Sequence, residues 1–438
     1  MLLKNKFLLN SLWLIIEKLY LLLGGLFVTA LVARYLGPSN LGLISYGITL
    51  SILCTVVSQW GASYYVFNYA SQKPIKAILL LLDNTVFRFT NYIICCFFIS
   101  VFLFYTVDEN EFWIILCVCL SNVFVAMDVY QYYFNGTLRS QYNATISMYV
   151  KTGSMLLRVL FVLSDLNVYF FIIPFLLEGL IIFTLKHYKS IRESKRLTAE
   201  SICSQEENVK KYKFSKVLKV KYFPYVLTGL LIVVYSKSID FSLKEISGFS
   251  ALGTYSALLA LSTAWTFIPL SIGTSLLTKV VSKKSDTALS FLYFCLITVS
   301  LPILIFINIF SYEIIYYTFG SEYVVESRYL FLFCCGTLVS TLGFLQNRYI
   351  AAMDGERYLL KKTIFVALFC IFVAPVMVLN FSILGAVISY FLVEFFSLTI
   401  CNYFFRNKSV LNVHLNIFNF RLIKSEFISF NTNTASAK

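Results

Sequence analysis

The chain is poor in charged residues. Only 13% of its 438 residues are Asp, Glu, Lys or Arg, while 59% are apolar and the mean hydropathy is +0.78. A soluble domain carries about 25% charged residues, so the composition excludes an ordinary soluble protein and predicts a polytopic membrane protein. Aromatic residues are dense, with 43 Phe and 30 Tyr, which suits contact with lipid and with its interfaces.

The chain also has little of what catalysis or metal binding usually needs. Its two histidines, His187 and His414, both fall in segments expected on the cytoplasmic side, so a histidine metal cluster or a Ser-His-Asp triad within the membrane is not expected. No G-x-x-x-x-G-K-[ST] loop is present, which argues against nucleotide hydrolysis by this chain. The eleven Cys lie mostly in apolar runs without C-x-x-C spacing, as small apolar core residues do. We therefore predict no enzyme activity, no metal and no cofactor.

Apolar runs separated by polar breaks predict twelve membrane-spanning helices, because a helix crosses a bilayer in about 20 residues. The runs cover residues 8–33, 41–66, 78–105, 111–134, 143–163, 167–186, 222–243, 251–278, 287–312, 329–353, 361–380 and 383–405. The longest polar segment lies in the middle of the chain. The predicted organisation is an N-terminal lobe at 1–186, a basic cytoplasmic linker at 187–221, a C-terminal lobe at 222–405 and a cytoplasmic tail at 406–438.

Positive charge is distributed unevenly among the predicted loops. With the N-terminus inside, most of the 36 Lys and Arg fall on the cytoplasmic side, and only Arg34, Lys244 and Arg328 fall on the outer side. Short cytoplasmic loops are rich in these residues, so the distribution predicts cytoplasmic N- and C-termini. It also explains the formal net charge of +14 without a nucleic-acid partner.

The two halves of the chain share a short similarity. Asn40–Ser51 and Ala251–Ser262, which lie 211 residues apart, have Leu, Gly, Ser, Leu and Ser at matched positions. Internal repeats of this kind are typical of secondary transporters, whose substrate sites lie at the interface between the repeats.

Two cations interrupt one of the predicted spans. Lys151 and Arg158 are seven residues apart, nearly two helical turns, so they lie on one helix face about 10 Å apart along the axis. Ser147 and Ser154 share that face. A charge at the bilayer centre costs at least about 2.5 kcal/mol, so such residues usually face a bundle interior or a wet cavity. The stripe therefore predicts a site for an anionic substrate.

Other ionisable residues fall within predicted spans. The cations Arg88, Lys18 and Lys237 are further candidates for substrate binding, and the carboxylates Glu17, Asp83, Asp128 and Asp240 are candidates for ion coupling. The numbers of cations and carboxylates in the spans are equal, so a purely structural pairing is the alternative. Lys237 and Asp240, at i,i+3 spacing, are placed to form such an ion pair.

Three stretches resemble the polysaccharide transporter branch of the multidrug/oligosaccharidyl-lipid/polysaccharide exporter (MOP) superfamily, and in particular the O-antigen repeat-unit flippases. The first is LVARYLGPSNLG (Leu31–Gly42), after a span with Glu17 and Lys18. The second is YSKSID (Tyr235–Asp240), followed by LGTY and WTFIP. The third is FGSEY (Phe319–Tyr323), followed by LGA and Glu394. These motifs run through nearly the whole chain, although members of the family often have Arg where this chain has Lys237.

This resemblance implies an all-α fold of twelve transmembrane helices in two six-helix lobes around a central cavity. It implies transport of an oligosaccharide linked to undecaprenyl diphosphate from the inner to the outer leaflet of the bacterial cytoplasmic membrane. Membrane lipids and other polysaccharide assembly proteins are the further expected partners. One alternative is a multidrug/cation antiporter of the same superfamily, which would need a cavity dominated by carboxylates. A membrane-embedded polysaccharide polymerase is another, but no large outer loop with paired carboxylates is predicted.

Overall fold

The computed structural model of the chain describes residues 2–203, 216–283, 285–406 and 408–435. Within these ranges the chain folds into helices and contains no strand. This follows from the hydropathy, because a backbone surrounded by lipid needs hydrogen-bond partners within its own segment, and a helix supplies them. The prediction of an all-α polytopic membrane protein is confirmed.

The chain forms two compact units, Met1–Val233 and Val234–Lys438. The helices that lie wholly in the first unit are α1 (Leu2–Gln59), α2 (Ala62–Gln72), α3 (Pro74–Asp83), α4 (Thr85–Thr106), α5 (Glu109–Ser121), α6 (Val123–Met127), α7 (Tyr130–Gly136), α8 (Ser140–Leu163) and α9 (Ile173–Cys203). A 3₁₀ turn, Val168–Ile172, precedes α9. The first part of the predicted linker is therefore a continuation of α9.

Helix α10 (Lys216–Ala264) begins in the first unit and ends in the second. The helices that follow are α11 (Phe267–Lys283), α12 (Asp286–Ile309), α13 (Ser311–Thr318), α14 (Leu330–Ala352), α15 (Glu356–Leu398), α16 (Ile400–Tyr403), α17 (Ser409–Asn416) and α18 (Phe420–Ala435). A 3₁₀ segment, Ser321–Tyr329, precedes α14. At the start of α12 the Ser285 hydroxyl caps the helix by accepting a hydrogen bond from the Ala288 amide.

Nine helical stretches among the described residues are long and apolar enough to cross a membrane. Three of them are 41, 39 and 48 residues long, which is about twice the length of one span. Each of the three contains one residue whose backbone is not helical, namely Gly37, Gly248 and Ser382. If each of these three stretches is counted as two spans, the nine stretches give twelve spans, the number that the apolar runs predict.

In each half of the chain, the first non-helical residue within a long helix falls at the same position of the repeat. Gly37 and Gly248, with φ of 75° and 82°, are 211 residues apart, which is the offset of the repeated segments. Positive φ is strained for residues with a Cβ, so glycine is required at both positions. Each is followed by x-Ser-x-Leu-Gly, which ends at Gly42 or Gly253. The weak sequence repeat thus has a structural counterpart.

The predicted tail is part of the second unit. Helices α17 and α18 pack against α12, and Val410, Val413 and Ile423 are buried in the core that they share with it. The Glu426 carboxylate accepts hydrogen bonds from Lys283 at 3.2 Å and from the Thr287 hydroxyl at 2.7 Å.

Candidate functional site

Helix α8 turns its polar stripe towards the interior of the first unit. Ser147 and Ser154 are both 7% exposed, and Lys151 and Arg158 lie between and beyond them on the same face. The opposite face carries the exposed apolar side chains Tyr149, Leu156, Leu160 and Leu163. This division fits a helix with one face towards lipid and the other towards a polar interior.

The polar face of α8 lines a cavity of about 320 Å³ within the first unit, here called the first-unit cavity. Its walls come from α1, the α5–α6 junction, α6, α8 and α9. The lining residues are Leu21, Gly25, Ile48, Asn122, Val125, Lys151, Met155, Arg158, Phe175 and Glu178.

Glu178 of α9 lies between the two cations of α8. Its Oε1 is 4.0 Å from Lys151 Nζ, and its Oε2 is 3.8 Å from an Arg158 nitrogen. Both distances permit charge attraction but are too long for hydrogen bonds. The Lys151 side chain is 37% exposed and those of Arg158 and Glu178 are 19% exposed, so a ligand can reach all three.

Several polar atoms at this site have unused hydrogen-bonding capacity. Arg158 Nε and Ser154 Oγ are buried without a hydrogen-bond partner among the described residues. The Arg158 guanidinium stacks 4.3 Å from the centre of the Phe175 ring, which fixes its plane through a cation–π contact. Guanidinium and ammonium groups donate well to phosphate oxygens, so the site can accept an oxyanion.

Close packing of α9 against α6 sets the position of Glu178. The next residue, Gly179, lies against Val125, and a Cβ at Gly179 would be 3.0 Å from both the Val125 amide nitrogen and its Cγ2. Only glycine lets the two backbones approach this closely. On the other side of α8, the Tyr20 hydroxyl shares a 2.6 Å hydrogen bond with the Thr152 hydroxyl and ties α8 to α1.

The electrostatic balance of the first-unit cavity is positive, because its lining has two cations and one carboxylate. In a partly buried site this favours an anion over a cation. The sequence identified Lys151 and Arg158 but did not select Glu178, although a single carboxylate in the apolar run of α9 is a comparable signal.

Arg88 does not line this cavity. Its side chain is fully buried near Tyr65 and Tyr130, and Nη2 donates to the Leu81 carbonyl at 2.7 Å and to the Thr85 hydroxyl at 3.2 Å. Because these hydrogen bonds go to one residue of α3 and one of α4, the Arg88 guanidinium is placed to hold the two helices together. Its predicted role in substrate binding gains no support from this position.

The predicted coupling residue Asp128 is engaged in an ion pair. Its Oδ2 is 2.6 Å from Nζ of Lys186, whose side chain is only 1% exposed. Beside it, the Tyr130 hydroxyl is 2.5 Å from Nδ1 of His187. Lys186 ends the predicted span 167–186, and no sequence pattern indicates that its side chain pairs with Asp128.

Asp83 is exposed in the structure, so its predicted role in ion coupling gains no support from this position. The reason is that the apolar run 78–105 is two helices rather than one. Helix α3 ends at Asp83 and α4 begins at Thr85, which leaves the carboxylate at the surface of the junction.

The remaining predicted residues lie elsewhere. Lys237 and Asp240 of α10 form the expected ion pair at 2.8 Å. Glu17 and Lys18 fall outside the residues whose side chains the structure describes. The structure also adds Lys362, which lies at the start of the predicted span 361–380. Lys362 is buried in α15, and its Nζ donates to Asn347 Oδ1 at 2.7 Å.

Three cysteines of the first unit are close enough to be considered as metal ligands. The Sγ atoms of Cys54, Cys96 and Cys119 lie within 4.8 Å of one another and are buried. Their cluster is otherwise apolar, with Val123 and Met127 as members. A metal held by three thiolates would place net negative charge there, so neutral thiols packed as core residues fit better.

Comparisons with known proteins show the class of the fold. No family model and no curated protein matches the chain. Among solved structures, the lipid II flippase MurJ in an inward closed conformation aligns with a TM-score of 0.63 and 14% identity, over 97% of this chain and 93% of that one. An outward-facing multidrug resistance MATE transporter of the MOP superfamily aligns with a TM-score of 0.54 and 14% identity, over 96% and 97%. A mutant of the MATE transporter VcmN from Vibrio cholerae aligns with a TM-score of 0.50 and 13% identity, over 93% and 98%.

The chain therefore has the fold of the MOP-superfamily transporters over nearly its whole length. At these identities the likeness concerns the fold, and the substrate has to be inferred from the site.

Proposed function

We propose that this protein is a flippase for lipid-linked oligosaccharides. In this proposal it moves O-antigen or capsule repeat units carried on undecaprenyl diphosphate from the inner to the outer leaflet of the bacterial cytoplasmic membrane by alternating access. The observation that carries the proposal is the first-unit cavity, where Lys151 and Arg158 flank Glu178 and leave a positive balance. Such a lining compensates the charge of a diphosphate, which cannot enter hydrocarbon alone.

Glu178 gives the cavity a means of coupling transport to an ion. In the structure its carboxylate lies at ion-pair distance from both Lys151 and Arg158. A proton on Glu178 would remove its charge and free both cations for the substrate. Asp128 and Asp240, two of the four coupling candidates that the sequence predicted, are already in ion pairs with Lys186 and Lys237. We therefore place Glu178 ahead of them in this role.

Export of cationic drugs is the second candidate, because MATE transporters share the fold. It is disfavoured by the cavity, which has two cations for one carboxylate. A cationic substrate would bind more strongly in a cavity with more carboxylates than cations. A polymerase has no support in the fold, whose solved relatives are described as flippases and transporters.

The test is a double substitution, Lys151→Gln with Arg158→Gln, expressed in a strain that lacks the native gene. We expect normal protein in the membrane but loss of surface polysaccharide and accumulation of lipid-linked repeat units. Arg348→Gln is the matched control, since Arg348 is an exposed cation of another span that stacks on Phe344. Full surface polysaccharide in the double variant would exclude the cavity as the substrate path.

A further inference from the structure

A second positively charged pocket lies further along α9, outside the first-unit cavity. It has a volume of about 150 Å³ and is lined by Arg139, Lys189, Arg192, Glu193 and Arg196. We call it the basic pocket. From Glu178 to Arg192 is 14 residues of continuous helix, so the pocket lies about 20 Å from the cavity along the axis.

The basic pocket is organised around one buried carboxylate. Glu193 is 5% exposed at its side chain, and its Oε1 accepts hydrogen bonds from Arg139 at 2.5 Å and from the Tyr133 hydroxyl at 3.0 Å. Four cations thus surround a single negative charge, which leaves a surplus of positive charge at the rim. Glu193 fixes Arg139, and the surplus can act on a ligand.

Aromatic rings orient two of the rim cations. Lys189 Nζ lies 5.3 Å from the centre of the Tyr142 ring, and the Arg192 guanidinium lies 4.5 Å from the centre of the Tyr188 ring. These positions follow the point where the apolar sequence of α9 gives way to charged residues after Leu185. Tyrosine and long cations at such a transition are typical of the membrane interface, where lipid phosphates lie.

We propose that the basic pocket binds the phosphate group of a lipid at the membrane surface. The donors available there, guanidinium and ammonium groups on a concave rim, are those that recognise phosphate oxygens. Two lipids carry this chemistry: an anionic phospholipid and a polyprenyl diphosphate. Occupation by the first would anchor α9 at the interface, and occupation by the second would hold a diphosphate lipid about 20 Å from the first-unit cavity.

Lys189 and Lys195 provide a matched pair of test positions. Both are exposed lysines of α9, but only Lys189 lines the pocket. Substitution of either by Gln makes the same change in net charge. A general attraction of the basic surface for lipid would weaken equally in both variants, whereas a defined pocket would respond only to Lys189→Gln.

The experiment measures lipid binding to the purified full-length protein in detergent by native mass spectrometry. The probes are dioctanoyl phosphatidylglycerol, dioctanoyl phosphatidylcholine, farnesyl diphosphate and inorganic phosphate. All proteins carry Lys151→Gln and Arg158→Gln, so that the first-unit cavity does not contribute to the signal. The outcome is therefore independent of whether the proposed transport function is correct.

Each interfacial cation contributes about a fivefold change in affinity for an anionic lipid. We expect Lys189→Gln to weaken binding about fivefold, and Lys189→Gln with Arg192→Gln to weaken it roughly 25-fold. Lys195→Gln should stay within twofold of the parent, as should all variants with phosphatidylcholine. Stronger binding of phosphatidylglycerol would identify a membrane phospholipid as the ligand, and stronger binding of farnesyl diphosphate a polyprenyl diphosphate. Equal weakening by Lys189→Gln and Lys195→Gln, or tight binding of inorganic phosphate alone, would overturn the proposal.

Discussion

Neutralising Glu178 should make the first-unit cavity bind a diphosphate more tightly. In the structure its carboxylate is 3.8 and 4.0 Å from the cations that the substrate would use. A phosphate bound beside those cations would lie about 6 Å from the carboxylate, and two like charges at that distance repel by about 3 kcal/mol at an effective dielectric constant of about 20. Glu178→Gln removes this repulsion, so Kd should fall about 100-fold.

Isothermal titration calorimetry of farnesyl diphosphate measures this change in purified proteins that all carry Lys189→Gln and Arg192→Gln, so that the basic pocket does not contribute. Glu178→Asp keeps the charge and should bind like the parent. Glu245→Gln makes the same charge change at an exposed carboxylate of the second unit and should also have no effect. Transport by Glu178→Gln should be slow despite the tighter binding, because no carboxylate then competes with the substrate for Lys151 and Arg158 and promotes its release. A folded Glu178→Gln protein that binds farnesyl diphosphate no more tightly than the parent would refute the competition between Glu178 and substrate.

Three further predictions concern stability in detergent. Asp128→Asn should destabilise the protein by about 3–5 kcal/mol, because it leaves the Lys186 ammonium buried without its charge partner, and adding Lys186→Met should recover most of the loss in a double-mutant cycle of chemical unfolding. Gly248→Ala should cost about 1–2 kcal/mol in thermal unfolding because φ there is 82°, while Gly343→Ala, at a helical glycine with open space around it, should cost nothing. Burial lowers the pKa of His414 to about 4 from its ordinary value of 6.5, so the unfolded chain binds the proton first as pH falls; stability should therefore decrease between pH 6.5 and 4, and His414→Gln should flatten that part of the profile.

The helical framework followed from hydropathy because each span must satisfy its own backbone. The breaks within the long helices could be placed as well, because Gly37, Gly248 and Ser382 each fall between two predicted spans. The apolar runs did not show that each break is a single non-helical residue with helix on both sides. The correspondence of Gly248 with Gly37 rests on the offset of 211 residues and on the positive φ that both have.

The site was predictable in part. Helical periodicity was enough to put Lys151 and Arg158 on one face, since it depends only on spacing within α8. Their partner, Glu178, depends on how α8 packs against α9, which is a tertiary relation set by contacts such as Gly179 with Val125. Asp83 is exposed because it lies at the junction of α3 and α4, and the continuous apolar run 78–105 does not indicate that a helix ends there.

The central claim is that the protein moves a lipid diphosphate bearing sugars. The direct measurement uses proteoliposomes with a fluorescent saccharide on a polyprenyl diphosphate, and follows how much label becomes accessible to a membrane-impermeant quencher. The account predicts protein-dependent movement that is lost in the Lys151→Gln, Arg158→Gln variant and retained in Arg348→Gln. Transport of a cationic dye with no movement of the lipid diphosphate, or equal movement by the cavity variant, would contradict it.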